Sequence, residues 1–378
     1  MAGRIVVFGA TGYTGELVAR ALVAQGARPV LAGRSARRLE RLATELGGLD
    51  TAVAEVDRPR TVRELVDRGD VLVSTVGPFD SWGDPAVEAA IAAGATYFDS
   101  SAEQRFIRRV FEHYGPKAAA AGCGLLTAFG FEWVPGHLAG TLALREAGPD
   151  AVRVDIGYFP HGGGKSRGTR ASLKGFMLEP SFGFRGGRLR PERTGVRMRA
   201  FDIGCSTPRY GASVGGTEHY GLPAAHPTLR DIDVILGSFG SLSRAMPVLS
   251  VGIAAAARIR PVKAGLTAIL DRQAATGSIG GPGPTARERN GTTVVAEAFS
   301  PEGDRLARTT LHGVNGYTFT GNFLAWGAMT ASQHGVDGVG ALTPLSAFGF
   351  DAFHSGVTKA GLTCAEDTSL SGRRPPGT

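Results

Sequence analysis

Cysteine is scarce: Cys123, Cys205 and Cys364 are the only three. An odd number with no CxxC pair argues against a disulfide framework and a structural zinc site, and it suits a reducing cytoplasm. Long apolar runs are also missing. The longest, Met246 to Ala257, falls short of the roughly 20 residues needed to cross a bilayer, and Met1 leads into a strand-like run without a secretory leader pattern. No membrane association is expected. Although the formal net charge is +7, no basic run is interleaved with aromatics, so nucleic acid is not the expected partner. A polyanionic small molecule accounts for a local basic patch. No internal repeat is visible.

What remains is an ordinary globular composition, 43% hydrophobic and 20% charged over 378 residues, long enough for two hydrophobic cores. From Arg4 to Thr127, short apolar runs alternate with helical stretches: Ile5 to Phe8, Pro29 to Ala32, Ala52 to Val56, Val71 to Thr75, Tyr97 to Phe98 and Leu125 to Thr127. Continuous Val/Ile/Leu strands separated by helices predict a doubly wound parallel sheet covered on both faces. After Pro149 the pattern changes to longer alternating segments, Val152 to Tyr158 and Thr293 to Leu311, the latter broken by Ser300-Pro301-Glu302-Gly303-Asp304. That pattern predicts an α+β domain on a mostly antiparallel sheet. The expected domains are residues 1–145, with C-terminal segments available to complete the sheet, and 146–365, for substrate and dimerisation. Residues 366–378 read as a flexible tail.

The run Arg4-Ile5-Val6-Val7-Phe8 is followed by Gly9-Ala10-Thr11-Gly12-Tyr13-Thr14-Gly15 and a helical stretch. Strand, glycine-rich turn, helix and second strand form the dinucleotide fingerprint of a Rossmann fold. Gly9 permits the tight turn, Gly12 lets backbone N–H groups approach a pyrophosphate, and Gly15 allows close helix–strand packing. The phosphates then meet the positive end of the helix. Where an NAD enzyme places an acid on the ribose, this chain has Arg34 and Ser35, followed by Arg37 and Arg38. A guanidinium there takes a 2′-phosphate, so NADP is the expected cofactor. Gly77-Pro78-Phe79 follows the fourth strand, where a turn without bulk lets the cofactor pass.

These segments resemble the saccharopine dehydrogenase-like reductases, which include saccharopine reductase and the mycobacterial trans-acting enoyl reductases. The resemblance rests on the glycine turn, Ala32-Gly33-Arg34, Val76-Gly77-Pro78-Phe79, Tyr97-Phe98-Asp99 with Glu103, and Gly130-Phe131-Glu132-Trp133-Val134-Pro135. It covers residues 1 to about 140; beyond that it is carried by Gly168-Thr169-Arg170-Ala171-Ser172 and Leu342-Thr343-Pro344. Ala102, and Glu132-Trp133 in place of a commoner Asp-Ser, depart from the family pattern near the expected nicotinamide end.

The resemblance implies an NADP-dependent oxidoreductase. An apolar second half favours reduction of a C=C or C=O bond in an acyl or polyketide-like metabolite, free or carrier-bound, over a saccharopine-type imine. Candidates for catalysis are Tyr220, His219, Asp99 and His137. Asp99 also fits the N-cap of a helix beginning near Glu103, and His137 fits the start of a helix after Pro135-Gly136. Glu132 could line the same crevice, and Lys165 or Arg167 could hold an anionic substrate group. Tyr317 reads as core. Two rivals stand beside this reading. Gly211-Ala212-Ser213-Val214-Gly215 fits a nucleophile elbow and His161-Gly162-Gly163-Gly164 an oxyanion loop, as in a serine hydrolase; a non-catalytic NADP-binding protein would keep the fold and lose turnover.

Overall fold

The computed structural model describes residues 3–162, 166, 179–237, 265 and 280–365. Met246–Ala257, Lys165, Arg167, Gly168–Ser172, the Gly163–Gly164 part of the oxyanion-type run and the 366–378 tail lie outside them.

The N-terminal half forms the predicted parallel sheet. Its strands are β1 (Ile5–Phe8), β2 (Val30–Gly33), β3 (Thr51–Val53), β4 (Val71–Ser74), β5 (Thr96–Asp99) and β6 (Gly124–Leu126). A seventh strand, Gly340–Ala341, arrives from far along the chain and pairs with β6. The order places β4 and β2 on either side of β1, with Val7 opposite both Val73 and Leu31. The chain therefore winds first towards β3 and then back past β1 towards β6. The carboxyl ends of β1 and β4 flank the resulting switch point, where open α/β sheets bind ligands. β1 and β4 are buried throughout, which is why Ile5–Phe8 and Val71–Val73 are continuous apolar runs rather than alternating ones. On one face, Val18, Ala19 and Leu22 of the helix Tyr13–Ala24 are buried; on the other, Ala86, Val87, Ala89 and Ala90 of Asp84–Ala93 are.

The helix Gly316–His334 returns to this unit, with Gly321 lying against Leu17. The helix Val134–Ala147 leads instead to the second sheet. That sheet contains β7 (Arg153–Pro160), β8 (Ser181–Arg185), β9 (Arg188–Glu192), β10 (Met198–Phe201), β11 (Arg209–Val214), β12 (Asp231–Leu236), β13 (Gly291–Phe299) and β14 (Arg305–Val314). Its described pairings are antiparallel except β7 with β12. The hairpin β13–β14 turns where predicted, closed by the Ser300 N–H to the Asp304 carbonyl at 2.9 Å with Gly303 at φ +96°. Val154, Ile156 and Tyr158 alternate onto the buried face. The opposite face carries ion pairs of Asp155, Asp233 and Glu297 with Arg185, Arg197 and Arg199.

The same register removes the hydrolase reading. Ser213 is an internal residue of β11, paired with Ile235, and its hydroxyl accepts the Arg197 N–H at 3.0 Å. A nucleophile elbow needs the serine at the strand-to-helix turn. No described helix is long and apolar enough to cross a membrane.

Candidate functional site

At the switch point the glycine turn has the geometry its sequence implies. Gly9 takes φ +89°, and its N–H and that of Ala10 both reach the Ala32 carbonyl, at 2.9 and 3.1 Å. A Cβ on Gly15 would lie 2.2 Å from the Gly9 carbonyl oxygen, so only glycine lets the helix approach so closely. Gly12 differs: within 4 Å its missing Cβ would meet only that same oxygen, at 3.1 Å, leaving an open cradle. No side chain caps the helix that begins at Tyr13, so its first N–H groups and the positive end of its dipole face that cradle. This donor set fits a diphosphate.

Arg34 and Arg37 are exposed just beyond β2, and among the described residues neither has an ion-pair partner. Ser35 begins the helix Ala36–Glu45 without spending its hydroxyl on a cap. Both cations and the hydroxyl are therefore available to a 2′-phosphate. Arg38 instead donates to the Thr11 carbonyl at 2.6 Å and braces the turn. Thr14 is half-buried in the helix's first turn. Gly77 and Pro78, joined by a cis peptide bond, are half-exposed, whereas the Phe79 ring is turned into the core against Phe106, centroids 5.6 Å apart. Glu103 holds this loop: its carboxylate accepts the Phe79 and Asp80 N–H groups at 2.8 and 2.9 Å.

Tyr13 reaches across to the second half of the chain. Its hydroxyl donates to the Pro282 carbonyl at 2.5 Å and accepts from Arg287 at 3.1 Å. Its ring meets that of Tyr317 edge-on, centroids 5.1 Å apart. Tyr317 is half-buried, not core, and accepts the Ser166 N–H at 2.8 Å. One turn further along the same helix, Thr320 accepts the Phe131 N–H at 3.0 Å. The start of Gly316–His334 thus ties the glycine turn to the loop carrying Glu132.

Glu132 is half-buried, and desolvation raises its carboxyl above the usual range. A partly accessible carboxyl whose pKa is raised is a candidate for the proton donor of a reduction.

The other predicted acids and bases lie elsewhere. Asp99 is not a helix cap. Its Oδ1 accepts the Ser101 and Ala128 N–H groups at 2.8 and 2.9 Å, joining the ends of β5 and β6, while the helix Gln104–Arg109 starts from Glu103 with no side-chain cap. Burial raises Asp99 to about 6. His137 sits inside the first turn of Val134–Ala147 rather than starting it; fully buried, it is pushed down to about 4 by desolvation. Neither of its ring nitrogens has a hydrogen-bond partner among the described residues. His219 is also buried and lowered to about 4, with Nδ1 3.1 Å from the Gly216 N. Tyr220 stacks on Phe111 at 4.1 Å, with its hydroxyl 3.5 Å from Glu112.

Tyr158 and Glu218 were not legible as a pair. The Tyr158 hydroxyl lies 2.7 Å from each of Glu218 Oε1, the Trp133 carbonyl and the Gly136 N–H. Glu218 is fully buried, and desolvation raises it to about 8.

Parts of the chain resemble known proteins. Residues 5–124 match the family described as saccharopine dehydrogenase NADP binding domain. A trans-acting enoyl reductase of Mycobacterium ulcerans is 36% identical over 154 residues, 39% of this chain and 37% of that protein. A putative trans-acting enoyl reductase of Mycobacterium tuberculosis is 38% identical over 141 residues, 36% of this chain and 34% of that one. The matched segment thus spans little more than a third of these curated relatives. Apo saccharopine dehydrogenase (L-Glu forming) from Saccharomyces cerevisiae superposes with a TM-score of 0.58 at 12% identity, over 96% of this chain and 99% of that chain, a likeness of fold. Residues 5–124 thus match an NADP-binding domain of the saccharopine dehydrogenase type, and the fold over nearly the whole chain is like that of the yeast enzyme.

Proposed function

We propose that the chain is an NADP(H)-dependent oxidoreductase that reduces a C=C or C=O bond of an acyl or polyketide-like metabolite, free or carrier-bound. The observation that carries this reading is the open cradle at Gly12, beside an uncapped helix end and within the domain that supplies Arg34 and Arg37. Bound NADPH would supply a hydride. The N–H groups of the helix's first turn would hold its diphosphate, and Arg34, Arg37 and Ser35 its 2′-phosphate. Glu132, linked to the glycine turn through Thr320 and Tyr317, would deliver the proton that completes the reduction. The names of the curated relatives support an enoyl substrate in particular.

The test is oxidation of NADPH by the purified chain with a panel of enoyl, keto and imino substrates. Turnover with an enoyl or keto thioester is expected, and Glu132→Gln should lower kcat about 10²- to 10⁴-fold, as loss of a general acid does, with NADPH affinity unchanged. NADPH bound but consumed with no substrate would mark a non-catalytic binding protein; turnover only with imines would mark an amino-acid reductase.

A further inference from the structure

The contacts of Tyr158 fix where one proton resides. A phenol oxygen has one hydrogen to donate and two lone pairs to accept with. The Gly136 N–H can only donate, so it occupies one lone pair; the Trp133 carbonyl can only accept, so it takes the hydrogen. That leaves Glu218 Oε1 at 2.7 Å facing the second lone pair. Were Glu218 a carboxylate, two acceptors would be pressed together there, or the Trp133 carbonyl would lie 2.7 Å from the phenol oxygen with no hydrogen between.

A second, independent observation concerns the other carboxyl oxygen. Glu218 Oε2 is buried without a hydrogen-bond partner, a costly state for an ionised group and a tolerable one for the carbonyl of an acid. Glycines enclose the carboxyl: a Cβ on Gly136 would lie 2.6 Å from Oε1, and one on Gly216 2.3 Å from Oε2.

We propose that Glu218 is a positioning residue that stands as a neutral carboxylic acid at neutral pH, donating to Tyr158 so that Tyr158 donates to Trp133 and fixes the 130–136 turn. The turn carries Glu132, so the consequence for reduction rests on the proposed function above; the protonation state does not. The titratable groups around the acid are Tyr158 from β7, Glu132 from the turn, His137 from Val134–Ala147 and His219 from Glu218's own helix. Both histidines are lowered to about 4, hence neutral at pH 7, and among the described residues no cation pairs with Glu218. Burial places its titration near 8.

The test is infrared difference spectroscopy of the 378-residue chain alone, wild type minus Glu218→Gln, so cofactor turnover does not enter. At pH 7 the wild type should show the C=O stretch of a protonated acid, shifted in D2O and absent from the variant, and the band should titrate away near pH 8. A difference containing only carboxylate bands at pH 7 would overturn the proposal. Near-UV circular dichroism gives the positioning readout. The glutamine amide can donate to Tyr158 at any pH, so Glu218→Gln should keep at pH 9 the tertiary signal that the wild type loses, whereas equal alkaline losses would refute the positioning role.

Discussion

Gly12 and Gly15 stand three residues apart in one turn, and the same substitution should injure them in opposite ways. In Gly15→Ala the new methyl would lie 2.2 Å from the Gly9 carbonyl oxygen, 2.8 Å from the Gly9 carbonyl carbon and 2.8 Å from Thr75 Oγ1. Two of these are backbone atoms of the tight turn itself, so relief requires the helix to lift from β1. Overpacking of this kind costs about 1–3 kcal/mol, and the upper end applies because no flexible side chain can yield. At about 2 °C per kcal/mol for a chain of this size, the melting temperature should fall by about 6 °C. In Gly12→Ala the methyl points into the open cradle and meets only the Gly9 oxygen, at 3.1 Å. Gly12 has φ −82° and ψ 164°, angles alanine adopts freely, so stability should change by less than about 1 kcal/mol. The methyl would occupy the approach to the helix N–H groups, and NADPH affinity should fall at least about tenfold, equivalent to about 1.4 kcal/mol. Differential scanning fluorimetry and calorimetric titration on both variants separate the effects. A Gly12→Ala protein that binds NADPH as the wild type does would refute the cradle, and an unperturbed melt for Gly15→Ala would refute the close-packing argument.

Asp99 offers a pH test. Its buried carboxyl is raised to about 6, so the unfolded chain releases the proton first; the stabilisation it confers is complete below about pH 4 and is lost as pH rises through 6. At about 1.4 kcal/mol per pH unit the loss is at most about 3 kcal/mol. Asp99→Asn, whose amide oxygen can still accept from Ser101 and Ala128, should gain on the wild type between pH 4 and 6 in denaturant melts, and parallel profiles would contradict the shift. Tyr158→Phe removes the acceptor of the Gly136 N–H and the donor to the Trp133 carbonyl; buried groups left unpaired cost about 1–3 kcal/mol each, so its urea midpoint should drop clearly, and an unchanged midpoint would mean the network is idle.

The first half of the fold was legible because its signals are local. The glycine turn, the apolar strands and the arginines after β2 each encode their geometry within a few residues, and in a parallel sheet buried on both faces hydrophobic runs leave little choice. The Ser300–Asp304 turn was equally local. Asp99 misled because Asp-Ser-Ser-Ala-Glu has the spacing of a capping sequence, while the competing Ala128 N–H lies 29 residues away and is delivered only when β6 aligns beside β5. Tyr158 alternates with Val154 and Ile156 and so reads as core; its meeting with Glu218, 60 residues on, depends on how the helix Glu218–Ala225 packs. His219 and Tyr220 drew attention as chemically capable residues after a glycine-rich turn, yet it is their neighbour Glu218 whose side chain faces the network. Glu132 was visible in sequence as a departure from a pattern and a candidate for the crevice, but its link to the glycine turn runs through a helix that begins at residue 316.

The claim underlying all of this is that NADP(H) binds at the Gly9–Gly15 turn with its 2′-phosphate on Arg34, and calorimetric titration of wild type and Arg34→Asp with NADPH and NADH tests it most directly. The wild type should bind NADPH at least about tenfold more tightly than NADH, as one charge-assisted bidentate pair warrants, and the aspartate variant should abolish that gap by weakening NADPH alone. Equal affinity for the two nucleotides in the wild type, or an unchanged preference in Arg34→Asp, would contradict it.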